Sequence, residues 1–159
     1  MAYSRKISTC LWFDNAAEDA ATLYTGLIPN SDITGTYSGD SDKPLVVEFT
    51  LDGVPYQALN GGPHFTHSEA ASIVVVTDDQ QETDRMWNAL VANGGSESQC
   101  GWLKDRYGLS WQIVPRRYIE LSTSDNRIGA GRVMEAMLTM KKLDIAALEA
   151  AFYREEDNA

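Results

Sequence analysis

Apolar and polar residues alternate along residues 5–13 (RKISTCLWF), and a period of two predicts a strand, with Thr9, Leu11 and Phe13 on one face and Cys10 and Trp12 on the other. The period then lengthens to that of a helix. Ala16, Ala20, Leu23 and Tyr24 form an apolar stripe after Asn15, which with Glu18 has the form of a capping box, and Pro29 follows soon after the helix end. A short strand at 33–37, a Gly/Asp/Ser loop at 38–43 and strands at 45–51 and 54–59 come next, the last two joined by a two-residue Asp52-Gly53 turn. That order is βαβββ. After the polar loop Asn60–Glu69 it starts again. A strand at 71–77 precedes a helix at 79–92 whose buried side carries Met86, Trp87, Leu90 and Val91, and Gly94-Gly95 stops it. A short segment at 96–99 and strands at 100–104 and 109–114 complete a second βαβββ.

The two halves share landmarks in the same order. Glycine, two residues, an aromatic and a glutamine recur at 53–57 and 108–112, and the same number of positions separates Thr9 from Tyr24 and Ser72 from Trp87. Turn chemistry then sets register. A two-residue Asp52-Gly53 loop pairs Leu51 with Val54, which places Phe49 opposite Tyr56 on the helix side and Glu48 opposite Gln57 on the concave side. Asp105-Arg106-Tyr107-Gly108 reads as a type I turn with Gly108 as bulge residue, pairing Asp105 with Leu109. Leu103 then meets Trp111 on the helix side, and Cys100, Trp102, Lys104, Ser110 and Gln112 share the other face. A slip of one residue reverses every one of these assignments. A polar residue repeated at the same inward point suggests two halves lining one cavity between them.

Residues 117–159 lie outside the repeat. They carry helical patterns near 127–140 and 145–153, the second capped by Asp144, and the first has an apolar side of Ile128, Val133, Met134, Met137, Leu138 and Met140. That side is expected to pack on the protein's own sheets; adaptable methionines also suit a contact between subunits.

Composition narrows the partners more than the chemistry. Thirteen basic against 23 acidic residues give a net charge of −10, which argues against a nucleic-acid surface. No apolar run approaches the ~20 residues that span a bilayer. The opening MAYSRKISTCLWF shows no h-region of useful length, and two distant cysteines read as reduced thiols, so the cytoplasm is the expected compartment.

Four stretches, STCLWFDNAAEDAATLY, EFTLDGVPYQALNGGP, CGWLKDRYGLSWQIVP and RVMEAMLTMKKLDIAALE, resemble the PhnB-like branch of the vicinal-oxygen-chelate (glyoxalase/bleomycin-resistance/dioxygenase) superfamily, whose members are often labelled demethylubiquinone-methyltransferase-like. The resemblance covers nearly the whole chain. It implies an α+β fold of two βαβββ modules (5–60 and 70–115) with a helical C-terminal extension (117–159), forming one domain, and usually a homodimer. In metal-using relatives the ligands are His, Glu or Gln on the first and last strands of each module. Carried over by position, those sites are Thr9, Gln57, Ser72 and Gln112. Two hydroxyls and two carboxamides supply neither imidazole nor negative charge, unlike the donor sets of divalent sites. No cofactor is therefore expected.

The expected activity is metal-independent binding of a small molecule, with a cavity lined by Thr9, Glu48, Gln57, Ser72, Trp102 and Gln112. Glu48 is the candidate base, and the two glutamines would bond each other through water or orient a ligand oxygen. Trp102 would supply a flat wall. Cys100 is a further ligand-binding candidate, although roughly 13 Å of strand separates it from Lys104, too far for that cation to activate it. Cys10 reads as core, Lys104-Asp105 as a solvated turn, and His64 and His67 as residues of a solvated loop. Asn60-Gly61-Gly62-Pro63 leads from a strand into a loop rather than a helix, which does not match a nucleotide-binding turn and weighs against methyl transfer. A metal-dependent isomerase, lyase or dioxygenase holding a divalent ion and a sequestering protein without chemistry are the alternatives.

Overall fold

The computed structural model describes residues 6–39 and 42–154. The chain separates into two units, one up to His67 and one from Ser68 onward.

In the first unit, β1 (Thr9–Phe13) leads to α1 (Ala17–Leu27), then to β2 (Ile33–Ser38), β3 (Pro44–Leu51) and β4 (Val54–Asn60). The sheet order is β1-β4-β3-β2, with β1 parallel to β4 and the other pairs antiparallel. A tight turn sets this register. Asp52 and Gly53 both have positive φ, as a type I′ hairpin demands, and Leu51, Phe49 and Glu48 face Val54, Tyr56 and Gln57 as expected. One face of β3 and β4 packs under α1: Val47, Phe49 and Ala58 are buried with Ala17, Ala20, Ala21 and Tyr24 of the helix. The helix start differs from the capping-box expectation. Ala16 holds the N-cap position with no side-chain bond of its own, and the Ala17 amide donates instead to Asn60 Oδ1, 2.9 Å away at the end of β4.

The second unit repeats the plan with β5 (Ser72–Thr77), α2 (Gln80–Val91), β6 (Ser96–Glu97), β7 (Trp102–Lys104) and β8 (Ser110–Pro115), in the order β5-β8-β7-β6. Asp79 caps α2 by accepting from the Glu82 amide. Met86, Trp87 and Leu90 pack against Leu103, Trp111 and Ile113, all at most 1% exposed. The hairpin matches the predicted geometry, since Gly108 N–H donates to the Asp105 carbonyl and Asp105 N–H to the Leu109 carbonyl.

The Asp105 side chain departs from expectation. It is 2% exposed rather than solvated, and its carboxylate accepts from the Tyr107 amide (2.8 Å), the Leu109 amide (3.1 Å) and Trp111 Nε1 (2.9 Å). Three donors compensate the loss of water around a buried anion.

The extension contains one helix that periodicity did not reveal. Pro115 opens α3 (Arg116–Ser122), which runs straight on from β8, before α4 (Arg127–Leu138) and α5 (Ile145–Tyr153). Asp144 caps α5 as expected. Leu121, Val133, Met137, Leu143, Leu148 and Phe152 form a core of their own. The apolar side expected of α4 is thus divided: Val133 and Met137 are buried, while Ile128, Met134 and Leu138 are exposed. No helix among the described residues is long and apolar enough to cross a membrane.

Candidate functional site

In each unit the sheet face turned away from its helix carries a polar group of side chains. On the first sheet the group centres on Gln57, which has Glu48 as its neighbour on β3 and Cys10 on β1. Gln57 Nε2 donates to Glu48 Oε1 at 3.2 Å, and the Tyr37 hydroxyl donates to Glu48 Oε2 at 3.3 Å. Both carboxylate oxygens of this half-buried residue are thereby oriented. Gly35, across from Glu48 on β2, makes room for the arrangement, because a Cβ there would lie 2.8 Å from the Tyr37 hydroxyl. Partial burial and the Glu48 charge push the Tyr37 phenol up from its ordinary pKa, so it remains a hydrogen-bond donor at neutral pH.

Thr9 does not belong to this group. It pairs with Tyr56, which puts it on the opposite face from Gln57, beside a groove lined also by Ile7, Val54 and Pro55. Cys10 takes the inward place assigned to Thr9. The reason is one residue of loop. Three residues separate β1 from α1 but only two separate β5 from α2, so equal spacing to Tyr24 and Trp87 marks positions one step out of register. Counted from the strand ends, Ser8 rather than Thr9 is the counterpart of Ser72. Cys10 is exposed rather than core, while partial burial around its sulfur pushes the thiol pKa up, the wrong direction for a reactive thiolate.

The loop after β4 closes the end of this face. Trp12 Nε1 donates to the Gly62 carbonyl at 2.8 Å, and Phe65 packs edge-on against the Trp12 ring at 4.9 Å between centroids. Gly61 is required by this approach, since a Cβ would fall 2.2 Å from the indole. The consecutive glycines therefore seat a tryptophan. His64 is exposed, as a solvated loop predicts, but His67 is half-buried edge-on to Phe13, with Nε2 buried and without a hydrogen-bond partner.

On the second sheet Gln112 Nε2 donates to Ser72 Oγ at 2.9 Å, so these two predicted residues do meet. Each glutamine thus finds a partner inside its own module: a carboxylate for Gln57, a hydroxyl for Gln112. Trp102 is half-buried and pairs with Gln112; Lys104 pairs with Ser110. Val74 and Val76 stand exposed beside them on β5. The residues lining a cavity of about 240 Å³ here include Glu69, Ser96, Glu97, Trp102, Lys104 and Ser110. Glu69, which sequence patterning did not single out, forms a 2.7 Å ion pair with Lys104 that holds its carboxyl below the usual range.

Cys100 leaves this face. Its φ of 59° turns the chain before β7, its amide donates to the Met140 carbonyl, and its side chain packs with Tyr118, Ala136 and Met140 against the core of the extension. Expecting a continuous strand from residue 100 missed that turn.

The donors on these faces do not suit a catalytic metal of the kind the motif resemblance implies. Among the described residues no three His, Cys, Asp or Glu side chains gather to hold an ion. Around Gln57 the donors are one carboxylate, a phenol and a thiol, and around Gln112 they are hydroxyls, whereas divalent sites combine imidazoles and carboxylates. What the first face offers instead is a positioned carboxylate beside a protonated phenol, a pair able to accept one proton and donate another.

The family model described as 3-demethylubiquinone-9 3-methyltransferase matches residues 5–114. The chain belongs to that family. Among solved structures, the PhnB protein from Bacillus cereus is similar at 28% identity with a TM-score of 0.64, over 70% of this chain and 99% of its own. Protein PA1353 from Pseudomonas aeruginosa has 21% identity and a TM-score of 0.56 over 70% and 98%. The fosfomycin resistance protein FosX from Listeria monocytogenes, complexed with Mn(II) and sulfate, has 14% identity and a TM-score of 0.50 over 72% and 91%. The last two speak to the fold alone. Comparison with curated proteins gives no significant match. The family match and the likeness to PhnB agree with the motif resemblance, and a helical extension follows the part that the family model covers.

Proposed function

We propose that the protein binds a small organic molecule on the polar sheet faces without a catalytic metal, and that Glu48 serves as the acid–base group if the bound molecule is turned over. The observation that supports this reading is the Glu48 carboxylate held at one oxygen by Gln57 and at the other by Tyr37. A carboxylate held in one orientation on a half-buried face is positioned to meet a ligand in a fixed geometry. A ligand on the first face would be oriented by the Gln57 amide, and one on the second by the Gln112 amide and the Trp102 ring. Methyl transfer with a nucleotide-like donor fits less well, because Gly61 and Gly62 are engaged by Trp12 and no helix follows them to cradle a phosphate.

Native mass spectrometry of freshly purified protein tests the proposal. A non-covalent small molecule retained by the wild type and lost from a Glu48→Gln, Gln57→Ala variant is the expected outcome. Stoichiometric zinc, manganese, iron or nickel surviving dialysis would overturn the metal-free part. A cytoplasmic homodimer belongs to the same reading; a single sedimenting species at the chain mass of 17.6 kDa removes the dimer.

A further inference from the structure

We propose that the cavity on the second sheet binds a small monocarboxylate, and that Glu69 holds the carboxylate's place on Lys104 until the ligand arrives. The inference rests on the reading of the polar faces as ligand sites and names the chemistry of one of them.

Lys104 sits mid-row across three strands, with Ser96 of β6 on one side and Ser110 of β8 on the other. Such a row offers hydroxyl donors around a single ammonium. Ser110 carries the decisive feature: it is fully buried, lines the cavity, and its Oγ has no hydrogen-bond partner. A buried hydroxyl left unsatisfied costs stability and calls for an explanation, which a ligand in the cavity would supply. Glu97 also lines the cavity, but its carboxylate is already engaged: it accepts from Trp87 Nε1 at 2.9 Å and meets Lys141 at 3.5 Å.

Glu69 has the properties of a stand-in. It belongs to the stretch before β5, outside any helix or strand, its side chain is 65% exposed, and it reaches Lys104 at 2.7 Å. A surface ion pair of this kind is weak enough for a competing carboxylate to displace. Among the described residues lining the cavity Lys104 is the one cation, which in a chain of net charge −10 favours a monoanion over a phosphate with its second charge. About 240 Å³ is small beside the ~300–1,000 Å³ of drug-sized sites, so the acid is short, with a ring or apolar tail against Trp102.

Titration of the full chain with sodium acetate and sodium benzoate, against sodium chloride at constant ionic strength, reads the site through the amide NMR signals of Ser96, Lys104 and Ser110. Saturable shifts with the two carboxylates and none with chloride are expected. Lys104→Met should abolish them. Removing the competing ion pair with Glu69→Gln should tighten binding roughly two- to fivefold, a gain that misfolding cannot mimic. Ser110→Ala should weaken binding about fivefold. Unchanged affinity in Glu69→Gln overturns the stand-in role, and inorganic phosphate binding as tightly as acetate overturns the carboxylate assignment. If neither carboxylate shifts these signals while native mass spectrometry still finds a retained molecule, this inference falls and the metal-free binding proposal stands. Absence of both removes both.

Discussion

The two modules solve the same hairpin differently. In the first, Asp52 and Gly53 make a minimal exposed turn, and the polar investment lies on the sheet face, where Glu48, Gln57 and Tyr37 hold one another. In the second, Asp105 is drawn into the core and spends its carboxylate on the Tyr107 and Leu109 amides and the Trp111 indole. The sheet face carries Gln112 bonded to Ser72, Trp102, Lys104 and an unsatisfied Ser110. The two modules share strand order and the position of the glutamine. They do not share what the glutamine touches, so equivalent positions in the two halves carry different chemistry.

The largest expected effect tests whether the two aspartates differ as much as their surroundings imply. Asp105→Ala strips three donors of their acceptor, one of them the indole of fully buried Trp111, and should cost about 3 kcal/mol. Asp52→Ala forces alanine into a left-handed turn position and removes one exposed bond, from Asn30 Nδ2 at 3.2 Å, and should cost about 1 kcal/mol. Urea midpoints of the two variants make the comparison. Equal losses would mean that Asp105 is a turn residue like Asp52 and that its buried bonds add nothing.

Next in size is a change that should stabilise. Ser110→Ala removes a buried hydroxyl with no partner and should raise stability by about 1 kcal/mol, while weakening carboxylate binding. No such opposition is expected in the first module, where Gln57 is already satisfied by Glu48. A destabilised Ser110→Ala protein would show the hydroxyl to be structural and would dissolve the contrast between the faces.

How much of this was legible in advance follows from which forces act locally. Turn chemistry is local, and Asp52-Gly53 and Asp105–Gly108 yielded the correct register for both hairpins, with Glu48 opposite Gln57 and Leu103 opposite Trp111. The parallel pairing of β1 with β4 is not local. No turn connects those strands, so the face of Thr9 had to be inferred from helix spacing, and one extra loop residue sent that inference to the wrong side. Asn60 capping α1, Tyr37 reaching Glu48 and Glu69 reaching Lys104 all cross a loop or a strand. Hydropathy cannot register a polar contact made at such a distance. Cys100 failed for another reason: a left-handed cysteine before Gly101 gives no compositional warning that a strand has not yet begun.

The smallest effect concerns the first face alone and asks whether its carboxylate and phenol act as a pair. The Tyr37 phenol is raised above the ordinary tyrosine pKa, first by partial burial and then by the charge and hydrogen bond of Glu48. A raised folded pKa means that the folded chain holds the phenolic proton more tightly than the unfolded one. The associated stability is complete below the unfolded pKa and disappears as pH rises through the folded value. Glu48→Gln removes the charge but leaves the burial, so the Tyr37 titration should move down without reaching its unperturbed position. Tyrosinate absorbance of Glu48→Gln, read as a difference from the same variant carrying Tyr37→Phe, isolates this one phenol from the other six tyrosines of the chain's seven. A Tyr37 titration that ignores Glu48→Gln means that the phenol draws nothing from the carboxylate, in which case Glu48 has no partner positioned to return a proton and its assignment as the acid–base group fails.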